Sequence, residues 1–291
     1  MKILLPFDQS ASSEEAIGLL EAYRGERAST TAVVLNVQSP RIEFWASMSE
    51  PLLQEAQLAA AERIIARPRS RLEAAGYPVS SQVRMGSAAA AILDAARVLE
   101  VDAILMGTRG RGGLAGFVGS VARRVLHGAR VPVILVRDGM RIARAMGTVL
   151  RVLLPVDGSA HSDRAVEQAV LWARWLGVSR ARTLHVTAPL TMLEMIAPPH
   201  RDAIELWAGT AAEQASSKAK SMLAGAGLAH DAAIEAAEDA AEAIVRHARD
   251  FDLIIMGTRG LGAVSHALLG SVAFKVACTS PVPAMLVGTP G

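Results

Sequence analysis

The sequence predicts an α/β protein made of two tandem doubly wound domains, and three observations carry that reading. The tetrapeptide Gly-Thr-Arg-Gly occurs at 107–110 and again at 257–260. Each copy follows an apolar run (Ala103-Ile104-Leu105-Met106; Leu253-Ile254-Ile255-Met256) and precedes a Gly-Ser-Val (119–121; 270–272) that opens a helical pattern. Short, nearly all-apolar strands alternate with amphipathic helices, as in a parallel sheet covered on both faces. The halves also align end to end: Ile3-Leu4-Leu5-Pro6-Phe7-Asp8 with Val152-Leu153-Leu154-Pro155-Val156-Asp157, Leu35-Asn36-Val37 with Leu184-His185-Val186, and Val131-Pro132-Val133 with Val282-Pro283-Ala284. An internal repeat of this length means two copies of one domain, at 1–138 and 149–291, joined by a segment with no strong element of its own.

Within the first half, a strand at about 2–7 precedes a helix at about 12–24. Strand Thr31–Val37, a long loop and a helix at about 50–75 follow. A strand near Val79–Arg84, a helix near 87–99, strand Ala103–Met106, the Gly loop, a helix from Ser120 and strand Val133–Val136 complete the unit. Pro68 falls inside the second helical stretch and predicts a kink or a division there.

The chain of 291 residues can bury two ordinary cores. Aromatics are only 4% of it, so the cores rest on Ala, Val, Leu, Ile and Met. A formal charge of +2 without long like-charge runs argues against nucleic acid as a partner. Arg141 and Arg144 read as solvated linker residues. The single cysteine, Cys278, excludes an internal disulfide framework and reads as a small buried hydrophobe. No signal-peptide pattern opens the chain, and no apolar run is long enough to span a bilayer. A cytoplasmic location, with no membrane partner, is the expectation. The seven histidines show no metal-ligand spacing.

Ligands of open parallel sheets bind beyond the carboxyl ends of the strands, where strand order reverses. If the first and fourth strands are neighbours, four groups meet there: Asp8 or Asp157, the Val37 or Val186 end of strand two, the turn Gly107–Gly110 or Gly257–Gly260, and Gly119-Ser120 or Gly270-Ser271. Glycines let a phosphate reach the backbone. Ser120 and Ser271 are placed to cap the helix or donate a hydroxyl, and the helix start favours an anion. An aspartate repels phosphate and suits ribose or base donors better.

The spacing Gly-x₂-Gly-x₉-Gly-Ser at Gly257, Gly260, Gly270 and Ser271 resembles the ATP-binding signature of universal stress proteins. So do Leu154-Pro155-Val156-Asp157-Gly158-Ser159, Leu184-His185-Val186 and Pro281-Val282-Pro283. The resemblance covers essentially the whole chain as a tandem pair. It implies a five-stranded parallel sheet flanked by helices in each half, of the Rossmann-like, adenine nucleotide alpha-hydrolase-like kind. It implies adenine at the Val186 backbone, Asp157 beside the nucleoside, and phosphates on the Gly loop, Ser271 and the Val272 N–H. The ligand would be ATP, ADP or AMP, with Mg²⁺ entering through the phosphates. It also implies pairing of the last strands of the two halves into a pseudo-dimer, with a further homodimer and unidentified protein partners left open. The first half carries Asp8, Val37, Gly107, Gly110, Gly119 and Ser120 at the matching places, but it departs twice. Only eight residues separate Gly110 from Gly119, and Gln9 replaces the glycine after the aspartate. The shorter loop predicts a displaced helix start.

Three functions fit. The first is a nucleotide-binding stress-response protein whose occupancy is a regulatory signal. The second is a weak metal-dependent ATP hydrolase or phosphotransferase, and the third a ligand-free interaction module with structural Gly loops. No Gly-x-x-x-x-Gly-Lys-Ser/Thr is present, and neither loop offers the lysine that such hydrolases use. Among side residues, Arg109 and Arg259 read equally as phosphate ligands or solvated turn residues, and Arg123 and Arg124 as a solvated face. His185 reads as a satisfied core histidine. His161 reads as a helix-start residue that alternatively borders the nucleotide, and His266 lies within the second loop. Asp102 and Asp252 fall at the wrong end of strand four, roughly 16 Å from the loop. The segments 38–50 and 187–210, with Phe44, Trp45, Met48, Trp207 and Pro198-Pro199, suit a lid or an interface.

Overall fold

Parallel strand pairing organises each half separately. In the computed structural model, which describes residues 1–23, 25, 27–38, 50–110, 118–140, 150–189, 201–260 and 269–288, the chain divides into units at 1–144 and 145–289. The first unit holds strands β1 (Lys2–Pro6), β2 (Thr31–Gln38), β3 (Val79–Met85), β4 (Ala103–Gly107) and β5 (Val133–Val136). They are ordered β3-β2-β1-β4-β5, every pair parallel. The second unit holds β6 (Leu150–Pro155), β7 (Val178–Thr187), β8 (His230–Ala236), β9 (Leu253–Gly257) and β10 (Ala284–Val287), ordered β8-β7-β6-β9-β10 and again parallel. Strand order therefore reverses beside the first strand of each unit, where Ile3 pairs with Ala103 and Val152 with Leu253.

The helices of the first unit are α1 (Ala11–Ala22), α2 (Glu50–Ala74), α3 (Ala88–Val98) and α4 (Ser120–Gly128). Those of the second are α5 (Ala160–Leu176), α6 (Arg201–Gly225), α7 (Ala240–His247) and α8 (Ser271–Thr279). The central strands are apolar because both faces are covered: every residue of β4, β5, β9 and β10 is buried. The outer strands β3 and β8 are only partly covered and carry polar residues between apolar ones. Pro68 does not divide its helix. α2 runs unbroken through it, with Pro68 buried on the same face as Ile65 and Leu72. A proline removes one N–H, and burial of that face holds the helix together across the gap.

Polar side chains fix the strand ends away from the switch point. Asp102 accepts from the Lys2 N–H at 2.7 Å and Asp252 from the Arg151 N–H at 2.9 Å, so both aspartates pin the amino ends of strands and take no part in the loops. On β8, Asp231 accepts from Arg182 and Arg180 on β7. The Arg182 hydrogen bonds, and then those of Arg180, hold its carboxyl below the ordinary carboxylate range. Cys278 is buried, as a small hydrophobe.

Two close approaches set the carboxyl ends of the strands. A Cβ placed on Gly107 would lie 2.8 Å from the Ser12 main chain, and one on Gly257 would lie 2.7 Å from the His161 carbonyl carbon. The first turns of α1 and α5 thus rest directly on the last residue of β4 and β9. The turn before each helix needs a left-handed residue: Gly158 has φ +80°, and Gln9 takes φ +65° in its place.

Three outcomes follow from this packing. Gln9→Gly relieves the left-handed strain at the cost of a freer unfolded chain, and should stabilise the protein by about 0.5–1 kcal/mol in urea denaturation. Gly257→Ala forces α5 away from β9 and should cost about 2–3 kcal/mol in the same assay. Asp231 contributes stability above its unfolded pKa that is lost as pH falls through its lower folded pKa. Asp231→Asn should therefore shrink the loss of thermal stability between pH 6 and pH 3 relative to the parent protein.

Candidate functional site

The carboxyl ends of β1 and β4, and of β6 and β9, bring the sequence-marked residues together. In the second unit a Cβ on Gly260 would lie 2.3 Å from Asp157 Oδ2; in the first, a Cβ on Gly110 would lie 2.9 Å from Asp8 Oδ2. Each aspartate also turns the chain into the helix, accepting from the N–H of Ser159 or Ser10 at 3.0 Å. These serines cap α5 and α1, accepting from the Ser162 and Ser13 N–H at 3.2 Å.

The Gly loops close on themselves. The Gly270 N–H donates to the Thr258 carbonyl at 2.7 Å, and the Gly119 N–H to the Thr108 carbonyl at 2.7 Å. A Cβ on Gly270 would meet Thr258 O at 3.2 Å and Arg259 Cα at 3.4 Å; on Gly119 the matching distances are 3.3 and 3.6 Å. The helix start is therefore not displaced in the first half. Both ends of the shorter loop are clasped as in the second half; the residues between them, 111–117, lie outside the described residues. His266, in the second loop, also lies outside them, as do Phe44, Trp45, Met48, Pro198 and Pro199.

Ser120 and Ser271 do not cap their helices. Gly119 and Gly270 hold the cap positions, with ψ 157° and 146°, and no side chain bonds the helix start. The serines stand one residue inside, as the first helical residues. The first main-chain bonds back are Arg123 N–H to Gly119 O at 3.0 Å and Phe274 N–H to Gly270 O at 2.9 Å. Among the described residues, the N–H groups of Ser271, Val272 and Ala273, and of Ser120, Val121 and Ala122, have no acceptor. These are the orphan donors of a helix start.

A second set of open backbone groups lies across the crevice. Residues of β2 alternate between β1 and β3: Phe7 N–H donates to Leu35 O at 2.8 Å, while Gly86 N–H donates to Gln38 O at 2.8 Å. Val37 therefore faces the side that β1 has left. The bond that would continue the ladder is intercepted, because Asn36 Nδ2 donates to Phe7 O at 2.7 Å. The second unit repeats this device with a different residue. Val156 N–H donates to Leu184 O at 2.9 Å, and His185 Nδ1 donates to Val156 O at 2.8 Å. His185 is thus a buried, satisfied histidine whose ring ends a ladder and leaves Val186 facing the crevice. Asn36 and His185 are the residues whose role sequence reasoning leaves out; the repeat offers a signal, a polar side chain at one place in two otherwise apolar strands.

The surroundings of the two crevices differ. In the first, Ser10 Oγ donates to the Arg109 carbonyl at 3.1 Å and Ser12 Oγ bonds the same carbonyl. In the second, His161 stands where Ser12 does. Burial, then the charges of Arg259 and Arg164, push its pKa below the ordinary value, with Asp157 opposing them. Among the described residues no group of three His, Cys, Asp or Glu side chains is placed to hold a metal, and no helix is long and apolar enough to cross a membrane.

The chain is similar to known proteins. The model of the universal stress protein family matches residues 1–137 and again 148–288. A universal stress protein of Mycolicibacterium smegmatis is 27% identical over 98% of this chain and 96% of its own length. One from Thermus aquaticus, a universal stress protein in a QAH/OAS sulfhydrylase 3' region, is 35% identical over 47% of this chain and 96% of its own. The crystal structure of a universal stress protein from Archaeoglobus fulgidus superposes with TM-score 0.68 at 24% identity, over 99% of this chain and 96% of that one, a likeness of fold. Two copies of the family pattern, each with its own switch-point crevice, account for nearly the whole sequence, and the chain belongs to the universal stress protein family.

Proposed function

We propose that the chain binds an adenine nucleotide at these crevices and that occupancy acts as a regulatory signal. The observation that carries this reading is the pair of uncapped helix starts held against a Gly-lined turn. Among the described residues, no side chain supplies an acceptor to the Ser271, Val272 and Ala273 N–H groups. An anion there meets oriented donors and the positive end of α8. A Cβ at Gly260 would meet Asp157 Oδ2 and one at Gly270 the Thr258 carbonyl, so neither place in the turn has room for a side chain.

The rest of a nucleotide fits the crevice in one direction. Phosphates take the Gly257–Gly260 turn, Gly270, and the Ser271 and Val272 amides. The Asp157 carboxylate, which would repel phosphate, takes ribose hydroxyls. The Val186 N–H and C=O offer a donor and an acceptor side by side, matching the acceptor and donor on the edge of adenine. The first half provides Asp8, Val37, Gly107, Gly110, Gly119 and Ser120 in the same relation. ATP uses the phosphate subsite most fully, and Mg²⁺ would enter on its phosphates, since the described residues supply no protein cage for it.

Calorimetric titration of nucleotide-stripped protein with ATP should show saturable binding. Gly260→Val, checked for folding by circular dichroism, should weaken it at least about tenfold through loss of backbone approach to phosphate. Absence of saturable binding in the parent protein, together with no adenine nucleotide released on denaturing freshly purified material, overturns the reading.

A further inference from the structure

The second strand of each unit runs past the first by three residues. β2 pairs with β1 only as far as Leu35, opposite Pro6, yet continues along β3 to Gln38. β7 pairs with β6 as far as Leu184, opposite Pro155, and continues along β8 to Thr187. One edge of Asn36-Val37-Gln38, and of His185-Val186-Thr187, is therefore without a strand. In a parallel ladder one residue bonds two on its neighbour, so continuation would take the Val37 N–H to Phe7 O and the Val186 N–H to Val156 O. Among the described residues neither bond is made.

Side chains hold those two carbonyls instead. Asn36, buried, donates from Nδ2 to Phe7 O at 2.7 Å, and Gln38 Nε2 donates to Asn36 Oδ1 at 2.7 Å, which sets the amide the right way round. His185, also buried, donates from Nδ1 to Val156 O at 2.8 Å, since a carbonyl can only accept. The peptide held in the second unit joins Val156 to Asp157, and its N–H end reaches Ser162 Oγ of α5 at 3.5 Å. Burying a polar side chain costs free energy unless it is bonded. Two chemically different side chains nevertheless meet the same carbonyl at the same place in the repeat. What they share is the bond and not the shape.

We infer that Asn36 and His185 are the positioning residues of the base subsite: by holding the carbonyl before Asp8 and Asp157, they keep the Val37 and Val186 N–H and C=O open to the donor–acceptor edge of adenine. This rests on the nucleotide reading above and adds which side chains make that subsite selective. Neither touches the ligand; each acts through the main chain. Phe7 and Val156 are buried, so without the side chain their carbonyls need another donor. The donor in ladder register is the N–H of Val37 or Val186. Closing that bond consumes the group that meets the acceptor of adenine, and selectivity for the base is lost while the phosphate subsite stays as it was.

ATP and inosine triphosphate test this, because hypoxanthine has the size of adenine with donor and acceptor exchanged on that edge. Calorimetry on the nucleotide-stripped parent should show ATP bound at least about tenfold more tightly than inosine triphosphate. Asn36→Leu combined with His185→Leu, which covers both crevices at once, should bring the ratio within about threefold, the loss falling on ATP. His185→Asn, which gives the second unit the donor of the first, should keep the parental ratio. A merely structural role would weaken both ligands alike and leave the ratio unchanged. Amide hydrogen exchange followed by NMR on the parent needs no substitution. The Val37 or Val186 amide should exchange freely in the nucleotide-free protein and become protected when ATP is added. Four results each overturn the inference and leave the nucleotide reading standing: equal affinity of the parent for the two ligands, an unchanged ratio in the double Leu variant, loss of the ratio in His185→Asn, or both amides protected before nucleotide is added. No ATP binding by the parent overturns both.

Discussion

The close approach of one helix turn to one strand-end glycine sets the geometry of each half. Ser12 rests on Gly107 and His161 on Gly257 with no side chain between them. The seat fixes how far the first helix stands from the fourth strand, and so brings the aspartate after the first strand against the second glycine of the tetrapeptide. A methyl group at either seat would open the crevice by lifting the helix. The core beneath is ordinary: Leu4, Leu5, Ile104, Leu153, Leu154 and Ile254 are fully or nearly fully buried, each contributing about 1.5–3 kcal/mol. That core holds the strands in register but does not distinguish one crevice from the other.

Backbone groups left open by design form most of the crevice. On one side the helix starts of α4 and α8 are capped by glycine, which has no side chain to offer the amides. On the other, Asn36 and His185 take the carbonyl that would have continued the strand ladder. Both devices keep main-chain donors and acceptors available at the switch point, where two parallel connections diverge. The same backbone pattern occurs in both units with different side chains.

The asymmetry between the halves does not lie where loop length suggests. One residue fewer between Gly110 and Gly119 changes neither the clasp of Gly119 on Thr108 nor the start of α4. The difference lies on the opposite wall, in the first turns of α1 and α5, where Ser12 and Glu15 stand against His161 and Arg164. Ser10 and Ser12 hydroxyls bond the Arg109 carbonyl in the first unit, whereas in the second an imidazole replaces Ser12 beside the turn.

The sequence by itself determined the repeated α/β architecture, the parallel sheets and the place of the crevice. Apolar strand periodicity and the doubled Gly-Thr-Arg-Gly are local signals, and the rule that ligands sit at switch points is topological. It also marked Asp157, Gly260 and Gly270, because their residue types stand out at fixed spacing, and Val186 through its place at the end of strand two and the family resemblance. Only the tertiary structure decided three further matters. Ser271 is a first helical residue and not a cap, since cap position depends on the ψ of Gly270. α2 continues through Pro68, since packing of its buried face outweighs one missing N–H. The first turn of α5 sits on Gly257 at His161, since a helix turn must fold onto a strand end far away in the chain. These are contacts between segments far apart in the chain, and their energies depend on distances that no local pattern encodes.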